Sequence, residues 1–221
     1  MAKKFVKEGA QVLIVGRNEE LLKNIAENIG CKYVVFDLSN IEEIPTFLDT
    51  AEKLIGKFNV LVNNAGVSLH EKSFFDVSPS SFNIQFTTNL ESPFFLAQEF
   101  IKRIEKDGDI LFISSEAGDT VDYRPYGFTK GAINSAVKGL ANLFKQKGIR
   151  INAISPGITA SNMTGIQSDG NLYAGEYGSG RFYLPDEIAE IATFMISDAS
   201  SCISGQIITC NNAQTVNPRW K

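Results

Sequence analysis

The chain holds a single histidine, His70, and three cysteines, Cys31, Cys202 and Cys210, out of 221 residues. An odd number of thiols without C-x-x-C spacing or histidine partners excludes a zinc site, a redox pair and a disulfide framework, and predicts a reducing, cytoplasmic setting. Long apolar runs are missing too: Val12 to Val15 is typical, far below the roughly 20 residues of a membrane helix, and residues 1–10 lack a signal-peptide core. No membrane partner is expected. The Asn162-Met163-Thr164 sequon therefore reads as accidental. Basic runs stop at Lys3-Lys4, and 21 Lys+Arg against 25 Asp+Glu leave a net charge of -4, so nucleic acid has no electrostatic foothold.

What is present is a 43% apolar chain with no repeat and no linker-like stretch before about residue 164, enough for one core and one domain over 1–221. Short β-branched runs alternate with segments of helical period, the pattern of a parallel α/β sheet. Strands are predicted at 11–15, 32–36, 59–62, 109–113, 150–154 and 206–209, and helices at 18–28, 41–55, 80–105, 126–146 and 186–196. Asn18 before Glu19-Glu20 reads as a helix cap, Gly30, Gly108 and Gly148 as helix ends, and Pro185 as a helix start. Residues 164–184, with five glycines, three tyrosines and no clean period, read as a functional lid or a disordered loop.

Tyr126 and Lys130 are spaced i, i+4, which puts both on one helical face. A phenol titrates near pH 10, and an ammonium within about 4–6 Å favours its phenolate, so the pair is expected to act as an acid/base with a lowered tyrosine pKa. Alone, the same spacing describes an ordinary surface pair.

Five motifs in chain order make the sequence resemble the short-chain dehydrogenase/reductase family. They are Asn63-Asn64-Ala65-Gly66 after a strand, Asn89 in Thr88-Asn89-Leu90, Ser115 and Gly118 placed as S-x-x-G, Tyr126 with Lys130, and Ser155-Pro156-Gly157 followed by Ile158 and Ser161. The similarity runs from residue 1 to about 216. It implies a doubly wound parallel sheet, a nicotinamide cofactor, and a carbonyl or secondary-alcohol substrate. It implies Tyr126 as acid/base, Lys130 as its partner, Ser115 as clamp on the substrate oxygen, and Asn89 as the residue that bends a long helix and holds a water. Asn64, Ala65 and Gly66 would wall the adenosine ribose, and Pro156, Gly157, Ile158 and Ser161 would lie on the nicotinamide side.

Arg17 follows the first predicted strand, where relatives that use NAD carry an acid and those that use NADP a base, so the resemblance implies NADP(H), with NAD as the alternative. A solvated arginine beside Glu19 or Glu20 is the plainer reading. Asp37 resembles an adenine-binding acid, or else caps the next helix. The helices at 80–105 and 126–146 carry apolar residues on more than one face, including Phe94, Phe95, Ile133 and Val137, and the resemblance implies a homodimer or homotetramer through them.

Three departures stand out. The family's opening strand and T-G-x-x-x-G-I-G turn are absent, and Met1 to Glu8 look like the end of the helix that follows them. The sequence thus reads as an N-terminally truncated domain, from a late start codon or a shortened gene. The strands at Gln11 and Asn59 should then pair directly or flank a wet, disordered groove. The second departure is a Ser115 to Tyr126 interval of 11 positions, about two short of the family's, which predicts an atypical pocket. The third is the tail Cys210-Asn211-Asn212-Ala213, where relatives commonly carry an acid and two glycines, which puts the tail packing in doubt. Two rival readings remain: a non-catalytic remnant without cofactor, and a nucleotide-sugar epimerase, against which Pro156-Gly157 and Gly205-Gln206 argue.

Overall fold

A computed structural model describes residues 1–216. Helix α1 (Ala2–Lys7) leads into strand β1 (Leu13–Gly16), helix α2 (Glu19–Ile29) and strand β2 (Lys32–Val35). Helix α3 (Ile44–Ile55) and strand β3 (Val60–Asn63) follow, then α4 (Pro79–Phe86), α5 (Ser92–Arg103), β4 (Gly108–Ile113), α6 (Pro125–Phe144), β5 (Ile149–Pro156), α7 (Pro185–Met195) and β6 (Ile207–Cys210). The predicted strands are found within about two residues of their expected ends, and so are the helices apart from those expected at 41–55, which starts at Ile44, and at 80–105, because each is announced by local chemistry. Asn18 caps α2 by accepting from Leu21 N at 2.9 Å, and Gly30 closes the same helix at φ 73°. Gly108 corrects one expectation: it opens β4 and does not end a helix.

The long helix expected at 80–105 is also interrupted. Residues Thr87–Glu91 form a π turn between α4 and α5, with Ser92 N bonded to Thr87 O. Pro93 gives the reason, since it has no N–H to offer the carbonyl of Asn89 four residues earlier. Such bulges recur at functional sites.

All strand pairs are parallel, as helical crossovers require, and helices cover both faces. The α/β, doubly wound architecture is as expected, with one break: β2-β1 form a two-stranded sheet and β3-β4-β5-β6 a separate four-stranded one. Strands β1 and β3 neither pair with each other nor lose their regular form. They keep it because side chains span the break. Leu13 and Val15 of β1 and Leu61 of β3 pack against one cluster that includes Phe47 and Leu48 of α3, and Val12 and Val62 against another that includes Phe5 of α1. The strands beside the break are half-exposed, so their free edges are open to water and escape the roughly 1–3 kcal/mol cost of each orphaned buried group. Of the two expected outcomes, direct pairing is not found, and the strands beside the break are ordered.

By contrast β4 and β5 are enclosed. Ile110, Leu111 and Phe112 are 2% exposed or less, and Ile151, Ala153 and Ile154 are wholly buried between α5 and α6 on one side and α1 and α7 on the other.

Candidate active site

The carboxyl ends of β3, β4 and β5 open into one crevice, the place where open α/β sheets bind ligands. Gly118, on the turn after β4, brings that turn against the helix backbone: a Cβ there would lie 2.7 Å from the Lys130 carbonyl carbon. Helix α6 is thereby drawn close to Ser115.

On that helix Lys130 is only 5% exposed. Its Nζ donates to Ile113 O at 2.7 Å and lies 5.6 Å from the centre of the Tyr126 ring. Gly66 completes the wall, a Cβ at that position being 3.6 Å from Lys130 Nζ and 3.5 Å from Asn89 Oδ1. Asn89 is 1% exposed, and its side chain clamps the loop after β3: Oδ1 accepts from Val67 N and Nδ2 donates to Val67 O, both at 2.8 Å. Nδ2 also reaches Thr129 Oγ1 at 3.3 Å. Both amide hydrogens of Asn89 are therefore engaged, and its side chain positions the loop. Ser115 accepts from Ala117 N at 3.2 Å and lies beside the Tyr126 hydroxyl.

The electrostatics correct one expectation. Burial pushes the Tyr126 phenol up, and the neighbouring Ser115 hydroxyl only partly opposes it. The ammonium does not prevail because burial acts on Lys130 as well, lowering it to about 8. In this state the phenol holds its proton and the amine holds its own weakly.

The remaining expected residues fall into two groups. Asn64 and Ala65 are exposed at the mouth of β3, and Gly66 is half-buried behind them. Pro156 ends β5, Gly157 is buried, Ile158 is 38% exposed, and the exposed Ser161 hydroxyl lies 3.2 Å from Thr164 Oγ1. Across the break in the sheet, Arg17 is exposed after β1. Asp37 accepts from Ser39 N at 3.0 Å and Ser39 Oγ at 2.8 Å, bonds that hold its carboxyl below the usual range, with Arg17 adding to the effect.

Two polar groups were missed. Behind α6, Ser114 Oγ donates to Asn134 Oδ1 at 2.6 Å, Asn134 Nδ2 to Asp119 Oδ1 at 2.8 Å, and Ser155 Oγ to Asp119 Oδ2 at 2.9 Å. At the mouth, Glu116 accepts from Tyr177 and Asn211, residues 61 and 95 positions away. Only the departure from family pattern at Asn211 pointed toward the second group.

The family model described as Enoyl-(Acyl carrier protein) reductase matches residues 1–212. The chain belongs to the short-chain dehydrogenase/reductase family. It is an NAD(P)-dependent oxidoreductase of that family. It is 30% identical to 3-oxoacyl-(acyl-carrier-protein) reductase of Aquifex aeolicus over 96% of this chain and 90% of the relative. It is 27% identical to gluconate 5-dehydrogenase of Gluconobacter oxydans over 98% and 90%. Among solved structures, 3-ketoacyl-(acyl-carrier-protein) reductase of Brucella melitensis complexed with NADH superposes with a TM-score of 0.87 at 25% identity, covering 97% of this chain and 92% of that one. No described helix is long and apolar enough to cross a membrane.

Proposed function

We propose that the chain interconverts a carbonyl and a secondary alcohol using NADP(H), with Tyr126, Lys130, Ser115 and Asn89 as its working residues. The observation that carries this reading is half-buried Tyr126 beside buried Lys130, with Ser115 next to the phenol and Asn89 fixing the loop opposite.

The dinucleotide fits the chain at its two ends. The nicotinamide side has main-chain groups at Gly157 and Ile158, with Pro156 and Ser161 around them, and Gly66 allows close approach to Lys130. The adenosine side has exposed Arg17, half-buried Asp37 and the open Asn64-Ala65 loop. The guanidinium of Arg17 suits a 2'-phosphate and favours NADP(H) over NAD.

When bound, the nicotinamide supplies or accepts the hydride. Ser115 holds the substrate oxygen, and Tyr126 gives that oxygen a proton during reduction or takes one during oxidation. Burial keeps the phenol protonated, the form that donates during reduction. Lys130, with a pKa of about 8, passes a replacement proton to Tyr126, and Asn89 keeps the adjoining loop in register. A water on this path would be held beside Asn89, at the π turn between α4 and α5. Residues 164–184, irregular and crossed only by isolated bridges, serve as the substrate loop.

The break between β1 and β3 favours a second reading, a scaffold that has lost cofactor binding. The two separate in one experiment. Purified chain mixed with NADPH should show a rise in nucleotide fluorescence on binding, and adding a panel of small ketones should then show its loss as the nicotinamide is oxidised. Absence of both signals would leave the scaffold reading standing.

The exposed faces of α5 and α6 bear on assembly. Phe94 and Phe95 are 37% and 38% exposed and border a groove shared with Leu90 and Ala132, an apolar face suited to a second copy across a two-fold axis. A dimeric or tetrameric mass by light scattering at micromolar concentration is expected, and a monomeric mass would refute it.

A further inference from the structure

At the mouth of the crevice a single phenol joins a hydrogen-bond donor to an acceptor. Tyr177 Oη accepts from Ile158 N at 2.6 Å and donates to Glu116 Oε1 at 2.6 Å. The carboxylate is fixed from its other side, where Asn211, 2% exposed, donates to Glu116 Oε2 at 2.9 Å. Gly157 makes room for this arrangement. A Cβ there would collide with Tyr177 Oη and lie 2.7 Å from Tyr183 Cε2. Burial and the hydrogen bond to Glu116 push the Tyr177 phenol up, so it keeps the proton that it donates.

Any group that takes the place of this phenol must accept from an N–H and donate to a carboxylate. A primary carboxamide does both, its C=O accepting and its NH2 donating. A carboxylate in the same place has nothing to donate and is repelled by Glu116, and an ester or ketone satisfies only the N–H. We propose that Glu116 and the Ile158 N–H form a carboxamide-binding pair that takes the nicotinamide amide, and that Tyr177 is its internal stand-in, displaced when the dinucleotide docks. This rests on the nicotinamide reading given above and adds two residues to it: Glu116 as the acceptor that selects an amide over an acid, and Tyr177 as the competitor. Because Tyr177 lies within 164–184, docking of the amide and release of that segment become one event.

The test is equilibrium titration of three ligands into the wild type, Tyr177→Phe and Glu116→Gln. The ligands are NADPH, its analogue with a nicotinic acid carboxylate in place of the amide, and the 2'-phosphorylated ADP-ribose fragment that lacks the nicotinamide ring. Both substitutions are close in shape, and the fragment reports on folding and on the adenosine end. Tyr177→Phe frees both the N–H and the carboxylate, so NADPH should bind roughly five- to tenfold more tightly while the fragment changes by less than about twofold. Glu116→Gln removes the repulsion of the acid, so the preference for NADPH over its acid analogue should shrink by about tenfold. Unchanged NADPH affinity in Tyr177→Phe, with the fragment still binding, would overturn the stand-in role alone. An unchanged amide-to-acid preference in Glu116→Gln would overturn the selecting role. Failure of the wild type to bind any of the three ligands would overturn the nicotinamide reading itself, and this inference with it.

Discussion

The four-stranded and two-stranded parts of the molecule are built from similar β-branched runs and end up in different physical states. In the first, β4 and β5 are paired on both edges and covered on both faces, and Ser115, Tyr126, Lys130, Gly157 and Glu116 all lie just beyond them or on the helix packed against them. In the second, β1 and β2 are only half-buried, pair only with each other, and hold Arg17 and Asp37 at their ends. Side-chain packing through α3 on one face and α1 on the other fastens this part to β3. The comparison teaches that the groups proposed for chemistry hang from the rigid half. Those proposed to recognise adenosine hang from a half whose position depends on side-chain packing with no strand pairing to β3.

The largest expected effect is on stability. Phe112→Ala, at a position 2% exposed in β4, should cost about 3–5 kcal/mol, whereas Val15→Ala beside the break should cost about 1 kcal/mol or less. Urea unfolding of both variants measures the difference, and equal costs would erase the contrast between the halves. Next comes Tyr126→Phe, which leaves the ring in place and removes the proton donor. Turnover in the NADPH-linked assay should fall by at least about 10²-fold with the melting temperature unchanged.

Lys130→Met sharpens the comparison from inside the rigid half. Folded Lys130 binds its proton less tightly than the unfolded chain does, with a pKa moved from 10.5 to about 8. Between those values the unfolded state holds more protons, so wild-type stability rises with pH, and below about 8 the whole penalty is present. The methionine variant, which carries no such charge, should be on the order of 2–3 kcal/mol more stable at neutral pH. Its advantage should narrow as pH climbs through the window from about 8 to 10.5, and a pH-independent difference would show that the buried ammonium is not its source.

Smaller effects follow. Arg17→Asp should move cofactor preference from NADPH toward NADH by about tenfold, read from the ratio of kcat/KM values, and an unaltered ratio would remove Arg17 from the phosphate site. The smallest concerns the tail after β6, where Asn212 and Ala213 hold φ of 48° and 62°, the left-handed region that glycines enter without strain. Ala213→Gly should therefore raise stability by about 1 kcal/mol in thermal unfolding. A loss would show that Ala213 makes contacts worth more than its strain.

Much of this molecule was legible before its coordinates because the signals are short-range. The cap at Asn18, the left-handed end at Gly30 and the i, i+4 pairing of Tyr126 and Lys130 each depend on fewer than six neighbouring residues. The break at the sheet's centre was expected from the resemblance, through the family's strand order, with direct pairing of the two flanking strands as the alternative, and the structure leaves them unpaired. The tertiary structure decided what depends on distant partners and on the loss of water. Burial made Tyr126 a retained acid where spacing alone foretold a lowered pKa. Pro93 helped turn a long helix into two joined by a π turn at Thr87–Glu91. Glu116, Tyr177 and Asn211 share no motif and no period, and they meet only because β4, the segment 164–184 and the tail after β6 end at the same crevice. A linear pattern records which groups are neighbours along the chain. Desolvation and hydrogen bonding across 61 or 95 positions arise only when the sheet brings its strand ends together.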